Sequence, residues 1–284
     1  MTISSGGKQI AVPCTRCMPC RVNHSQEWTF RLEQEMEVCS SAHFLTLTYS
    51  DENITRNDLG HGILIKEDLQ KFFKRLRYHT NEVYKEQAQK LRFNETLKVP
   101  SIRYYGVGEY GGETYRPHYH AIAYNIPLSV LKSIEQIWKH GHVKIGTVTR
   151  QSISYVTKYI TKVDTRELDL MDLSKPFNVM SKGIGANYVD DQTRSYHDKT
   201  VSLYTINTKY RKRIGKYLES KIHDTDEKKT RLKIIKQSDA RKAEAKFITD
   251  HPELKTAQDH IDYENNRIKN ENLIFNKNNK RNKL

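Results

Sequence analysis

Long apolar runs are absent from this chain, and its opening stretch MTISSGGKQI holds no apolar segment of the secretory-leader kind. The first absence speaks against a membrane-spanning protein, the second against secretion. Neither end offers a basic amphipathic anchor for a membrane surface. Cysteine is scarce, with four in 284 residues. In a chain expected in the cytosol these are thiols or metal ligands rather than a disulfide framework. Acidic residues are in deficit: 34 Asp and Glu stand against 48 Lys and Arg, a net charge of +14 with a pI near 9.4. That balance calls for a polyanionic partner, nucleic acid before membrane. Apolar residues make up only 36% of the chain, enough for one buried core but low for a chain packed throughout. No internal repeat is found.

What is present falls into an ordered series of elements. A cysteine-rich segment, PCTRCMPCRVNH, leads into a helix over SQEWTFRLEQEME. HFLTLTY, residues 43–49, alternates at a two-residue period and reads as a strand. In IKEDLQKFFKRLRYHTNEVYKEQ, Leu69, Phe72, Phe73 and Leu76 recur at helical spacing. SIRYYGVGEY and HYHAIAY are two strands around a glycine-containing turn. Pro127 opens a helix that runs through Trp138, Gly141 closes its connection, HVKIGTVT is a strand, and QSISYVTKYITK is a short helix. The order β-α-β-β-α-β-α defines an α+β fold, an antiparallel sheet of about five strands with helices on one side. Beyond residue 165, LSKPFNVMSKGIGANYVDD reads as an ordered loop or small substructure. After Tyr217 the chain is highly charged and helix-compatible, a loosely packed helical arm ending in a disordered basic tail, NKNNKRNKL.

Two constellations carry chemistry. On a strand, His118 and His120 share one face, while Tyr119 and Ala121 take the other. Glu109 lies on the preceding strand, and closing the hairpin at GGETYR brings it back beside the pair. Two imidazoles and a carboxylate suit a divalent ion with open positions, Mn²⁺ or Mg²⁺ in preference to a closed zinc site. A merely polar strand face remains the alternative. In SYVTKYITK, Tyr155 and Tyr159 stand one helical turn apart, as do Lys158 and Lys162. A tyrosine can be a covalent nucleophile on a phosphodiester. With a reference pKa of about 10, only ~0.1% is phenolate at pH 7, a handicap of roughly 4 kcal/mol. A divalent ion and the lysines would recover part of it. An amphipathic helix with core tyrosines and solvated lysines explains the same pattern.

Together these segments resemble the HUH endonucleases, named for histidine–hydrophobic–histidine. In detail the chain is similar to the rolling-circle replication initiators of microvirus phages, the gokushovirus branch in particular. The matching pieces PCTRCMPCR, FLTLTY, LQKFFKRLR, RYYGVGEYGG, RPHYHAI, WKHG, SYVTKYITK and MSKGIG occur in order over roughly residues 13–187. The resemblance implies that His118 and His120 are metal ligands and that Tyr155 or Tyr159 attacks single-stranded origin DNA. It further implies a 5′-phosphotyrosyl intermediate, rejoining at the end of a round, and partnership with the host helicase and polymerase in the bacterial cytoplasm. No membrane and no small-molecule substrate are expected. Glu109 as third ligand rests on hairpin geometry and on the acidic or amide ligands of related nucleases. The implied organisation is a Cys-rich segment and helix (1–42), the endonuclease core (43–165), an accessory region (166–217) and the charged arm with its tail (218–284). A plasmid relaxase, a single-strand transposase and a non-catalytic zinc-containing DNA-binding protein are the rival readings.

Cys14, Cys17 and Cys20 are spaced C-x₂-C-x₂-C, with Cys39 and His24 as candidates for a fourth ligand. Structural zinc, an iron–sulfur cluster and a plain reduced loop all stay open. Lys71, Lys74, Arg75, Arg77 and Arg116 are candidates for phosphate contacts. Tyr104, Tyr105 and Tyr115 stack on bases or pack in the core, and Thr46 and Thr48 face either DNA or the core.

Overall fold

The computed structural model describes residues 2–5, 8–11, 15, 17–90, 100–160, 166–206 and 212–256, and part of 258–274. Cys14, Lys162 and the NKNNKRNKL tail lie outside the described residues. In chain order the elements are β1 (Thr2–Ser5), β2 (Lys8–Ala11), α1 (Met18–Val38), β3 (Ala42–Thr48), α2 (Lys66–Lys90), β4 (Arg103–Tyr110) and β5 (Pro117–Tyr124). There follow α3 (Leu128–Leu131), α4 (Ile134–Trp138), β6 (Val143–Thr147), α5 (Arg150–Lys158), α6 (Arg166–Leu170) and β7 (Phe177–Met180). The last are α7 (Asp191–Thr200), α8 (Lys216–Ile222) and α9 (Asp226–Asp250). Contacts sort the chain into two compact units, Trp28–Asn187 and Met1–Glu27 with Tyr188–Leu284. Among the described residues no helix is long and apolar enough to cross a membrane.

The unit Trp28–Asn187 is built on a five-stranded antiparallel sheet ordered β6-β3-β5-β4-β7. This is the expected α+β sheet. Its fifth strand is β7, from the segment read in sequence as loop: four residues at a sheet edge, just after Pro176, are too short to show a period. Alternation in β3 sends Leu45 and Leu47 to one face, where Leu69, Phe72, Phe73 and Leu76 of α2 meet them together with Tyr119, Ala121 and Trp138. Phe73 stacks on Tyr104 with ring centroids 3.5 Å apart. Each such side chain contributes roughly 1.5–3 kcal/mol by leaving water.

The helices are not confined to one side, and that part of the expectation is corrected. Trp28 and Leu32 of α1 and Ile153 and Val156 of α5 pack on the opposite face, against Tyr105, Val107, Ile122 and Tyr124. Strands β4 and β5 are therefore buried on both faces, and their near-continuous apolar character follows from that. The helix expected from Pro127 through Trp138 is also two pieces. Ser133 N–H bonds back three residues to Val130 O, a tight turn that breaks the rod before Ile134. Gly141 has φ +151°, and a Cβ there would lie 2.4 Å from Ser50 N and 2.5 Å from Thr48 O. Only glycine lets this connection pass the end of β3.

In the second unit β1 and β2 form a two-stranded hairpin. The helical arm is α8 and α9. α9 spans 25 residues with Leu232 as its one buried side chain, as expected of a helix polar on all sides.

Candidate metal and tyrosine centre

Sheet register assembles the centre. Across β4 and β5, Glu109 pairs with His118 and Val107 with His120. Across β3 and β5, Thr48 pairs with His118 and Thr46 with His120. Paired residues share a face, so Glu109, His118 and His120 project together from the side that carries α1 and α5. Glu109 Oε1 lies 3.2 Å from His118 Nε2 and 3.0 Å from His120 Nε2. Among the described residues, this is the group of His, Cys, Asp and Glu donors close enough together to hold one ion. The other ring nitrogens are occupied: His120 Nδ1 by Thr46 Oγ1 at 3.0 Å, His118 Nδ1 by Arg116 O at 3.1 Å. Both Nε2 atoms are thereby turned toward Glu109, the outer-shell arrangement that orients metal-binding imidazoles. The donor set of two imidazoles and one carboxylate fits a divalent cation.

α5 supplies the phenols. Thr149 and Ser152 form a capping box that starts this helix. Thr157 hydrogen-bonds Thr29 of α1 at 2.9 Å and holds α5 to its neighbour. Tyr155 Oη donates to Glu109 Oε1 at 3.0 Å and stands 3.4 Å from His120 Nε2. The Tyr155 and Tyr159 rings are 5.4 Å apart, and Tyr159 is also hydrogen-bonded to Glu109. Lys158 Nζ sits 4.2 Å over the Tyr155 ring and 5.6 Å from that of Tyr159. The α-helix ends at Lys158 and Tyr159 is its C-cap, still in helical conformation, so the four-residue spacing keeps both rings on one face. Phe44 packs against His120 and Tyr155.

Charge in the centre follows from burial and partners. Burial alone would raise the Glu109 carboxyl, but hydrogen bonds from His118, His120 and Tyr159 and the charge of His120 outweigh it, so it stays ionised well below the usual range. Burial pushes Tyr155 up to about 12, with the neighbouring Glu109 charge adding to it against a hydrogen bond from Tyr159. Tyr159 is raised further by burial and by Glu109.

Other candidates lie elsewhere. Lys71, Lys74 and Arg77 are exposed on α2, which covers the sheet face opposite the histidines. Arg75 donates to the carbonyls of Ile137 and Trp138, where it closes the end of α4. Arg116 is held by Asp51 Oδ1 at 2.6 Å and Tyr49 O at 2.7 Å. Tyr104 and Tyr105 are core residues, and Tyr115 packs against the α2-side core. Cys17 and Cys20 flank the start of α1 and His24 follows a turn later, whereas Cys39 lies past the far end of this 21-residue helix. Its Sγ donates to Met36 O within the core, which removes Cys39 from a cluster with Cys17 and Cys20. Three residues went unrecognised in the sequence as neighbours of the centre. Thr46 orients His120; Lys144 pairs with Thr46 from β6; Asn178 pairs with Val107 from β7. One row of the sheet thus reads Lys144, Thr46, His120, Val107, Asn178, visible only once strand register is known.

A carboxylate–histidine–histidine cluster joined by two helix-borne phenols defines a metal-and-tyrosine centre on an α+β sheet. Residues 42–164 match the family model for the replication-associated protein ORF2. The chain is 29% identical over 271 residues to replication-associated protein ORF2 of Spiroplasma virus 4, covering 89% of this chain and 80% of that protein. It is 31% identical over 218 residues to replication-associated protein VP4 of Bdellovibrio phage phiMH2K, covering 70% and 63% respectively. Replication-associated protein ORF4 of Chlamydia phage 1 is 24% identical over 209 residues, covering 65% and 47%. No solved structure matches the chain significantly. The chain belongs to the replication-associated proteins of microviruses.

Proposed function

We propose that this protein starts rolling-circle replication by nicking single-stranded phage DNA at the origin, in the cytoplasm of the bacterial host, with Tyr155 or Tyr159 as nucleophile. The observation that carries the reading is the Tyr155 phenol, within 3.0 Å of Glu109 Oε1 and 3.4 Å of His120 Nε2. A nucleophile that meets the donors of a metal site is the arrangement that phosphoryl transfer by a side chain requires.

Glu109, His118 and His120 would hold Mg²⁺ or Mn²⁺, which supplies Lewis-acid polarisation of the scissile phosphate. The chain's own groups do the rest. Tyr155 or Tyr159 gives up its phenolic proton and forms a P–O bond to the 5′ side of the nick. The P–O3′ bond breaks, and the departing 3′ oxygen takes up a proton and becomes the primer end for a host polymerase. Lys158, over the Tyr155 ring, favours the phenolate by its charge. When the origin is remade, the second phenol cuts it, and the released 3′-hydroxyl attacks the first phosphotyrosine to close a circle. Both phenols border one carboxylate, so either finds the same surroundings.

The test incubates origin-containing single strands with Mn²⁺ and scores covalent protein–DNA adducts on denaturing gels. Wild-type protein is expected to form adducts, and Tyr155→Phe/Tyr159→Phe none. Adducts from the double variant would refute the assignment.

A further inference from the structure

Beside Tyr159, away from the metal donors, a cleft of about 220 Å³ opens between the end of α5 and strand β7. Tyr105, Val107, Tyr159, Ile160, Pro176 and Asn178 line it. Nothing in the nicking chemistry as described uses it. The cleft lies below the roughly 300–1,000 Å³ of sites for drug-sized ligands, a size suited to one planar ring system. Its lining mixes an aromatic ring and apolar side chains with one amide. Unpaired bases are held in that way, their faces against aromatic and apolar groups and their edges on a polar side chain.

Register locates the cleft relative to the chemistry. Asn178 pairs with Val107, which pairs with His120, so the three share a face and Asn178 stands two strands from His120. At 4.7–4.9 Å per strand the offset is roughly 10 Å, a span that a neighbouring nucleotide of an unpaired strand covers. The Asn178 amide nitrogen donates to Tyr105 Oη at 3.1 Å. That bond fixes the amide plane and, among the described residues, leaves the carbonyl oxygen and the second N–H for a ligand. One acceptor and one donor side by side match a base edge.

We infer that this cleft takes one unpaired nucleobase of the substrate strand, from a nucleotide adjacent to the attacked phosphate, and that Asn178 reads its edge. The inference rests on the tyrosine-attack reading and adds a specificity site to it. Cutting is then directed by a base as well as by exposed backbone, and the preference resides in β7.

Two measurements on the full-length protein test it. First, origin single strands carrying 2-aminopurine at single positions around the nick are bound in EDTA, where no cutting occurs. Fluorescence is expected to change several-fold at one position beside the nick and little elsewhere; a uniform response along the strand overturns the inference. Second, adduct yield with Mn²⁺ is compared for the four bases at that position. Wild type is expected to discriminate by about tenfold, and Asn178→Ala and Asn178→Leu to level this to within about threefold while still forming adducts. Unaltered discrimination in both variants removes Asn178 from the reading role. Should both variants fail to fold, the fluorescence scan of wild-type protein still decides the cleft. Absence of adducts from wild type on every strand would defeat the nicking reading itself, a result distinct from adducts formed without base preference.

Discussion

At the scale of single residues, the centre depends on side chains that never touch the substrate. Thr46 occupies His120 Nδ1 and so leaves Nε2 facing Glu109. Removal of such an outer partner typically costs 10–100-fold in metal affinity. Thr46→Ala is therefore expected to weaken Mn²⁺ binding by about that factor, and Thr46→Ser to restore it, as read by calorimetric titration. Equal affinity in Thr46→Ala would mean that the hydrogen bond does not orient the ring. His118, His120, Glu109, Tyr155 and Tyr159 were legible in the sequence because their relations are local: a two-residue period on one strand, a hairpin closure and one turn of helix. Thr46 could be narrowed only to DNA or core. Its true neighbour lies 74 positions away, and register across distant strands leaves no trace in composition. Arg75 misleads for the converse reason: its charge suggests phosphate, but its fork is spent on the carbonyls that end α4.

At the scale of elements, α1 was recognised as a helix, but its place as a second layer over the sheet was not. Its inward face shows Trp28 and Leu32 among many polar residues. The MSKGIG segment, conspicuous only through resemblance, has a physical reading as the piece that docks on α1. Gly185 N–H donates to Glu35 Oε2 at 2.9 Å, and Arg31 Nε donates to Ile184 O at 2.9 Å. Gly185 has φ +71°, and a Cβ there would stand 2.6 Å from Arg31 O. Gly185→Ala combines left-handed strain with a backbone collision, and a loss of about 2–4 kcal/mol is expected. Urea unfolding with the change in midpoint measures it; a shift below about 0.5 kcal/mol would show that the loop can move aside.

At the scale of the whole molecule, the second unit carries its own pH response. His197 is fully enclosed, with Ser202 O 2.9 Å from Nδ1 and Tyr188 Oη 3.3 Å from Nε2. His223 is nearly as buried. Burial lowers both below the ordinary histidine value, His197 also through the charge of His223. In the unfolded chain they protonate near 6.5, so between that value and their folded values the unfolded state binds more protons. Stability is accordingly complete above about pH 6.5 and declines as the pH falls below it, by up to ~1.4 kcal/mol per pH unit for each histidine. Thermal melts from pH 7.5 to 5 should show this decline, and His223→Gln should flatten its slope; a flat profile in wild type would mean that the rings keep their ordinary titration.

The three metal donors all reside on one hairpin, β4 and β5, whose strands follow each other closely in the chain, whereas both phenols arrive only with α5. A polypeptide emerging from the ribosome therefore completes its grip on the ion before any reactive oxygen has been synthesised. On the proposed chemistry, a half-made copy can sequester a cation but owns nothing with which to wound the genome.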